Sequence, residues 1–312
     1  MRTETQMETE SQSAVTQEFT LEETEPKFRF EPGALMAVDI AGTTHEGHVR
    51  PNNEDHYMVI QFGRALRVLE TNLNPRLIPA DYDLTGYGMV VADGLGGMAG
   101  GEVASRTALT KLVELVIDTP DWIFALQEPE KLETVMDRAK ERFLKIDETL
   151  KTKADIDASL SGMGTTLTTA LTLGDNLVIG HVGDSRAYLF RDGNLTQLTK
   201  DHTVAQELID AGLSGSDPVA RSMRHVLTAA LGSLGARIQP EVHRLRLKEG
   251  DQLLLCTDGL SDMVDDKTVT SLLRNSSSAA KVCEDLKTVA LAAGGTDNIT
   301  VVVARFGLPE TM

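Results

Sequence analysis

Apolar side chains fall at helical spacing twice in the first half of this chain. Leu109, Leu112, Val113 and Val116 lie at i, i+3, i+4 and i+7, which predicts a helix over Glu102–Asp118 with one buried stripe, ended by Pro120. Leu132, Val135, Met136, Ala139, Phe143, Ile146 and Leu150 repeat the spacing along a longer second helix. Beyond Gly164 the pattern turns to strands, at Thr165–Leu173, Leu177–Val182, Arg186–Phe190 and Leu195–Leu198. Gly174-Asp175-Asn176 and Asp192-Gly193-Asn194 separate neighbours in the manner of tight hairpins. Further strands are expected at Glu241–Leu247, Gln252–Thr257 and Ile299–Phe306, with a helix over Ala279–Ala292 before the last.

The remaining stretches are less regular. A strand starts at Met36, a turn carries Gly42 and Gly47, and Tyr57–Gln61 reads as a second strand. Between Arg64 and Tyr87, apolar Leu66, Val68 and Leu73 precede Pro75, Pro79 and Gly86. That order suggests a strand and an extended loop, or an inserted hairpin, before a strand at Gly88–Ala92. Residues His202–Arg224 read as a short helix ending near Gly212, then a polar loop through Pro218. Strands, two helices, hairpin-linked strands, a helix and a final strand give an α+β chain. The expected architecture is two stacked antiparallel β-sheets, a β-sandwich, flanked by α-helices.

Composition narrows the class. With 312 residues, 41% of them apolar, the chain can bury a sizeable core. Residues 1–29 hold seven glutamates from Glu4 to Glu25 and no periodic apolar positions, so a disordered acidic tail is expected before a folded domain over 30–308. The net charge of −17 disfavours nucleic acid as a partner. Cys256 and Cys283 fall in apolar patterns and read as small core side chains. With no signal peptide and no apolar run of membrane length, the expected location is the cytoplasm, with no membrane partner.

Acidic residues carry the chemistry. Asp93 in VVADGLGG, Asp184 in HVGDSRAY, Asp258 in LLLCTDGL and Asp297 in GGTDNIT stand at the ends of apolar strands beside residues that tighten the turn. Glu54 and Asp55 lie upstream. Carboxylates gathered from distant strands repel one another unless a hard cation binds them, so a metal site with oxygen ligands is the natural reading. Arg50, beside Glu54 and Asp55, offers a planar fork of donors suited to a phosphoryl group. The glycines after Asp93 form neither a Walker loop nor a dinucleotide fingerprint.

RPNNED, VADGLGG, GTTLTTA, VGDSRAY, LTKDH, LTAALG, LLLCTDGLSD and GGTDNITVVV follow one another in this order. Over about residues 37–306 the chain resembles the metal-dependent Ser/Thr phosphatases, protein phosphatase type 2C (PPM type), bacterial branch. The resemblance implies hydrolysis of phosphoserine and phosphothreonine on proteins by water activated at a pair of Mn2+ or Mg2+ ions, reversing Ser/Thr kinase signalling. It implies that Asp93 bridges the two ions, that the Gly94 carbonyl binds one, and that Asp258 and Asp297 complete the direct ligands. Glu54 and Asp55 would hold metal-bound waters, Asp184 and Asp262 a third, weaker cation, and Arg50 the phosphate. Residues 202–224 would form a mobile flap subdomain. Leu95 stands where animal members commonly have a histidine that protonates the leaving alkoxide. The implied partners are phosphorylated proteins, meaning Ser/Thr kinases or their substrates, and the chain is expected to act as a monomer.

Three other readings compete. A phosphatase dedicated to one signalling regulator looks the same in sequence. A catalytically silent phosphoprotein binder should have lost carboxylates that Asp93, Asp258 and Asp297 retain. An acidic calcium-binding protein predicts clustered loop ligands of EF-hand spacing, which are absent.

Overall fold

The computed structural model describes residues 37–74, 81–96, 100–119, 132–233 and 238–307. The expected acidic tail and Pro120 lie outside the described residues. Two five-stranded antiparallel sheets are stacked, as the strand order suggested. One runs β1 (Ala37–His45), β12 (Ile299–Gly307), β11 (Gln252–Cys256), β8 (Arg186–Arg191), β9 (Asn194–Gln197). The other runs β10 (Glu241–Arg246), β7 (Asn176–Val182), β6 (Leu167–Leu173), β3 (Asp81–Ala92), β2 (His56–Arg67). A small third pair joins β4 (Gly94–Leu95) to β5 (Gly164–Thr165).

Strand periodicity sorts the core into layers. Met89 and Val91 of β3 point between the sheets, where they meet Ile179, Leu253, Leu255 and Val302. Val90 and Ala92, the alternate positions, face helices α1 (Gly100–Asp118) and α2 (Leu132–Ile156) through Ala104, Ala108, Leu112, Phe143 and Ile146. On the opposite side Leu254, Cys256, Val301 and Val303 face Val282, Cys283 and Leu286 of a terminal helix, Ala279–Ala292. Strands buried on both faces read as unbroken apolar runs, which is why LLLC and VVV show no alternation.

Several boundaries differ from expectation. Gly42 is not in a turn but inside β1, because the Tyr57 ring lies where a side chain at 42 would go: a Cβ there would sit 2.4 Å from Tyr57 Cε2. β2 and β3 pair over twelve residues each, from His56↔Ala92 to Arg67↔Asp81, so the strand expected at Gly88–Ala92 is much longer. The strand expected at Thr165–Leu173 is split, because Thr166 leaves the ladder to bond with Asp93. After α3 (Val204–Asp210), the polar stretch forms a second short helix, α4 (Pro218–Ser222), capped by Asp217. Two unforeseen helices, α5 (Asp258–Ser261) and α6 (Asp266–Asn275), precede the terminal helix, α7.

Candidate metal centre

Sheet order explains the convergence of the acidic residues. Asp93 follows β3, Asp184 follows β7, Asp258 follows β11 and Asp297 precedes β12. In these antiparallel sheets those strand ends all lie along one edge of the sandwich, two from each sheet. Glu54 and Asp55 arrive at the same edge on the β1–β2 connection. A cavity of about 510 Å3 opens there, lined by Arg50, Glu54, Asp93, Gly94, Asp184, Asp258 and Asp297. Asp262 lies in an adjoining cleft that shares Asp258 and Asp297, and Asp55 lies beneath the floor.

Threonines and an asparagine fix this geometry. The Asp93 N–H donates to Thr166 Oγ1 (2.9 Å), and Thr165 Oγ1 donates to the Asp93 carbonyl (2.8 Å). Thr257 Oγ1 donates to Asp55 Oδ2 (2.8 Å). Asn298 accepts from the Glu54 N–H (2.8 Å) and donates to the Glu46 and Asn52 carbonyls (both 2.9 Å), which pins the loop holding Arg50 to the start of β12. Gly94 is dictated by crowding: an added Cβ would lie 2.2 Å from the Gly101 carbonyl oxygen and 2.7 Å from that of Glu54.

Electrostatically the cluster is under-compensated. Burial, followed by the charge of neighbouring aspartates, pushes Asp93 well above the usual carboxylate range. Burial also raises Asp55 to about 7, Asp184 to about 8 and Asp258 to about 6. Asp55 Oδ1 and Asp258 Oδ1 are buried without a hydrogen-bond partner. Arg50 Nη2 reaches Asp297 Oδ2 at 2.6 Å, yet its side chain stays 55% exposed and leaves the other carboxylates unpaired with it. An all-oxygen donor set with orphaned buried oxygens fits a hard divalent cation.

Comparison with known proteins agrees. The model of the protein phosphatase 2C family matches residues 82–292. The chain belongs to the protein phosphatase 2C family. It is 38% identical over 217 residues to the Ser/Thr protein phosphatase PstP of Mycobacterium tuberculosis, a match covering 69% of this chain and 40% of that one. A Ser/Thr phosphatase, stp, of Listeria welshimeri is 32% identical over 268 residues, covering 86% of this chain and 95% of the relative. The catalytic domain of PstP, solved in complex with two manganese ions, superposes with a TM-score of 0.66 at 33% identity, covering 87% and 99% of the two chains.

Within this phosphatase 2C domain one polar residue, His225, escaped the sequence reading. His225 Nδ1 lies 3.3 Å from Asp262 Oδ2, and the donor atoms of His225, Asp258 and Asp262 fall within 4.8 Å of one another. Nothing local in RSMRHVL marks that histidine, since its partners lie more than thirty residues onward. His181 and His202 stack with ring centroids 5.0 Å apart, near Glu241. There His181 receives or gives a bond at Thr168 Oγ1 (2.8 Å) and faces the Lys200 carbonyl (3.1 Å), a packed role rather than an open one.

Proposed function

We propose that this chain hydrolyses phosphoserine and phosphothreonine on proteins, with two Mn2+ or Mg2+ ions as cofactors and a third position nearby. The observation that carries the reading is the meeting of Asp55, Asp93, Asp184, Asp258 and Asp297 at one sandwich edge, with two buried oxygens lacking any donor. Asp93, the Gly94 carbonyl, Asp258 and Asp297 would hold the pair, backed by Glu54 and Asp55. Asp184 and Asp262 would serve the third. When bound, such ions supply Lewis acidity, lowering the pKa of water and neutralising phosphoryl charge.

The chain's own side chains do the rest. Arg50 is the phosphate ligand: its guanidinium stands at the cavity mouth, held by Asp297 until a phosphoryl group offers two oxygens to the fork. Thr257 holds the buried Asp55 carboxylate in place beneath the floor. Leu95 has no acidic proton to give, so the leaving alkoxide takes one from solvent or another polar group of the pocket. Residues 202–224 serve as the flap of a catalytic domain spanning 30–308. Among the described residues no helix is long and apolar enough to cross a membrane, and we place the enzyme in the cytoplasm, as a monomer opposing Ser/Thr kinases.

Phosphate release from p-nitrophenyl phosphate and from a phosphothreonine peptide, measured with Mn2+ and with EDTA, tests the reading. Turnover should need Mn2+, and Asp93→Asn should lower it by roughly three orders of magnitude with the circular dichroism spectrum unchanged. Equal rates with Mn2+ and EDTA exclude the proposal.

A further inference from the structure

One group of ligating atoms joins the catalytic edge to an element outside the sandwich. Asp258 opens α5 and Asp262 caps its C-terminus one helical turn on, where the Asp262 N–H donates to the Asp258 carbonyl (2.8 Å), so their side chains share a face. Into that face comes His225 from the far end of the 202–224 segment. Its Nδ1 stands 3.3 Å from Asp262 Oδ2, and the donor atoms of all three residues lie within 4.8 Å of one another. Asp258 brings an oxygen that is buried and unpartnered. Such an oxygen is costly to bury unless a donor or a cation meets it.

The backbone just after His225 is well fixed. The Val204 N–H donates to the Val226 carbonyl (2.8 Å), the Thr228 N–H donates to the His202 carbonyl (2.8 Å), and Thr203 bridges Leu227. These bonds close the root of the segment, while α3 and α4 project beyond it. The imidazole is therefore presented from a fixed root but is itself 70% exposed. As a plain surface ion pair with Asp262 it would contribute little. As a third donor beside two carboxylates it completes a set that can hold a metal ion.

We infer that His225, at the root of the flap, is a further ligand to the third cation, which it would share with Asp262 and Asp258 beside Asp184, so that occupancy of this position ties the flap to the rim of the catalytic pocket. The inference rests on the phosphatase reading, because Asp258 is shared with the two-ion centre. It has a chemical consequence. Carboxylates and water suit Mg2+ and Mn2+ alike, whereas an imidazole nitrogen favours transition metals over Mg2+. This position should therefore discriminate between Mn2+ and Mg2+ where the all-oxygen pair does not.

The test titrates Mn2+ into the full chain, counts bound ions by electron paramagnetic resonance, and seeks nitrogen coupling to bound manganese in pulsed spectra. Hydrogen exchange over residues 204–222 reports the flap. In the wild-type chain the weakest ion should show nitrogen coupling, and Mn2+ should slow exchange in the flap. His225→Ala should remove the coupling, weaken that ion roughly tenfold or more, and return flap exchange to its metal-free rate, with the tighter ions unchanged. Asp262→Asn should weaken the same ion. Unchanged coupling and affinity in His225→Ala would overturn the inference. So would a variant that keeps the ion but loses turnover on phosphoserine peptide alone, since His225 would then act on substrate. Failure of the wild-type chain to bind any Mn2+ removes the phosphatase reading itself, a result distinct from loss of the weakest ion.

Discussion

Replacing Asp258 by Asn should stabilise the metal-free protein and weaken the metal-bound one. Burial, then the charges of Asp297 and Asp262, push the Asp258 carboxyl from 3.8 up to about 6. A rise of roughly two pKa units corresponds to about 3 kcal/mol between the two protonation states. The folded value is the raised one, so the stability at stake is fully present below pH 3.8 and is lost as pH rises through about 6. At pH 8 the metal-free wild type therefore bears the whole penalty, and an amide of the same shape escapes it. For a domain of this size that difference is about 5–10 °C in Tm. The gap should shrink on acidification and vanish near pH 4. Mn2+ at a hundred times its Kd should nearly close the gap, adding about 2.7 kcal/mol to whichever chain still binds it, and at a thousand times its Kd, where the gain is about 4.1 kcal/mol, it should invert the order. Thermal melts of both chains at pH 4 and pH 8, with EDTA and with Mn2+, give the four comparisons. A metal-free Asp258→Asn chain that melts below wild type at pH 8 refutes the reasoning, as does equal stabilisation of both chains by Mn2+.

Other perturbations probe separate parts of the argument. Gly94→Ala places a Cβ against two backbone carbonyls that cannot yield, so a loss of about 1–3 kcal/mol in urea melts and loss of Mn2+-dependent phosphate release are expected together. Arg191→Ala removes bonds of 2.8 and 2.6 Å from Asp251, 1% exposed, and leaves it the Lys248 N–H (2.7 Å); stability should fall by about 3 kcal/mol in denaturant melts while kcat stays at the wild-type value. Burial and the neighbouring His202 push His181 down to about 3, so its contribution is present above pH 6.5 and lost as pH falls towards 3. His181→Gln should accordingly flatten the acid side of the Tm-against-pH curve between those values.

Much of this protein can be read from local patterns. Side-chain period follows from backbone geometry within a few residues, so α7 appears in the sequence with its observed ends and most strands can be placed within a few residues of theirs, the long β2–β3 pair excepted. Aspartates at strand ends are visible for the same reason. Local period fails where an element is short or a strand leaves its ladder. Four-residue α5 has too few positions to show a stripe, and the break at Thr166 depends on Asp93, seventy-three residues earlier. Gly42 looks like a turn residue until the Tyr57 ring is seen to occupy its missing side chain.

What the amino-acid order determined alone was most of the longer elements, the two-layer class and the acidic residues at strand ends. What the tertiary structure decided was their company: Asp55 under Thr257, Arg50 on Asp297, and His225 against Asp262. The physical reason is that charge repulsion, burial and coordination act through space at a few ångströms. Those distances are set by which strands neighbour one another and along which edge, not by any spacing within a strand.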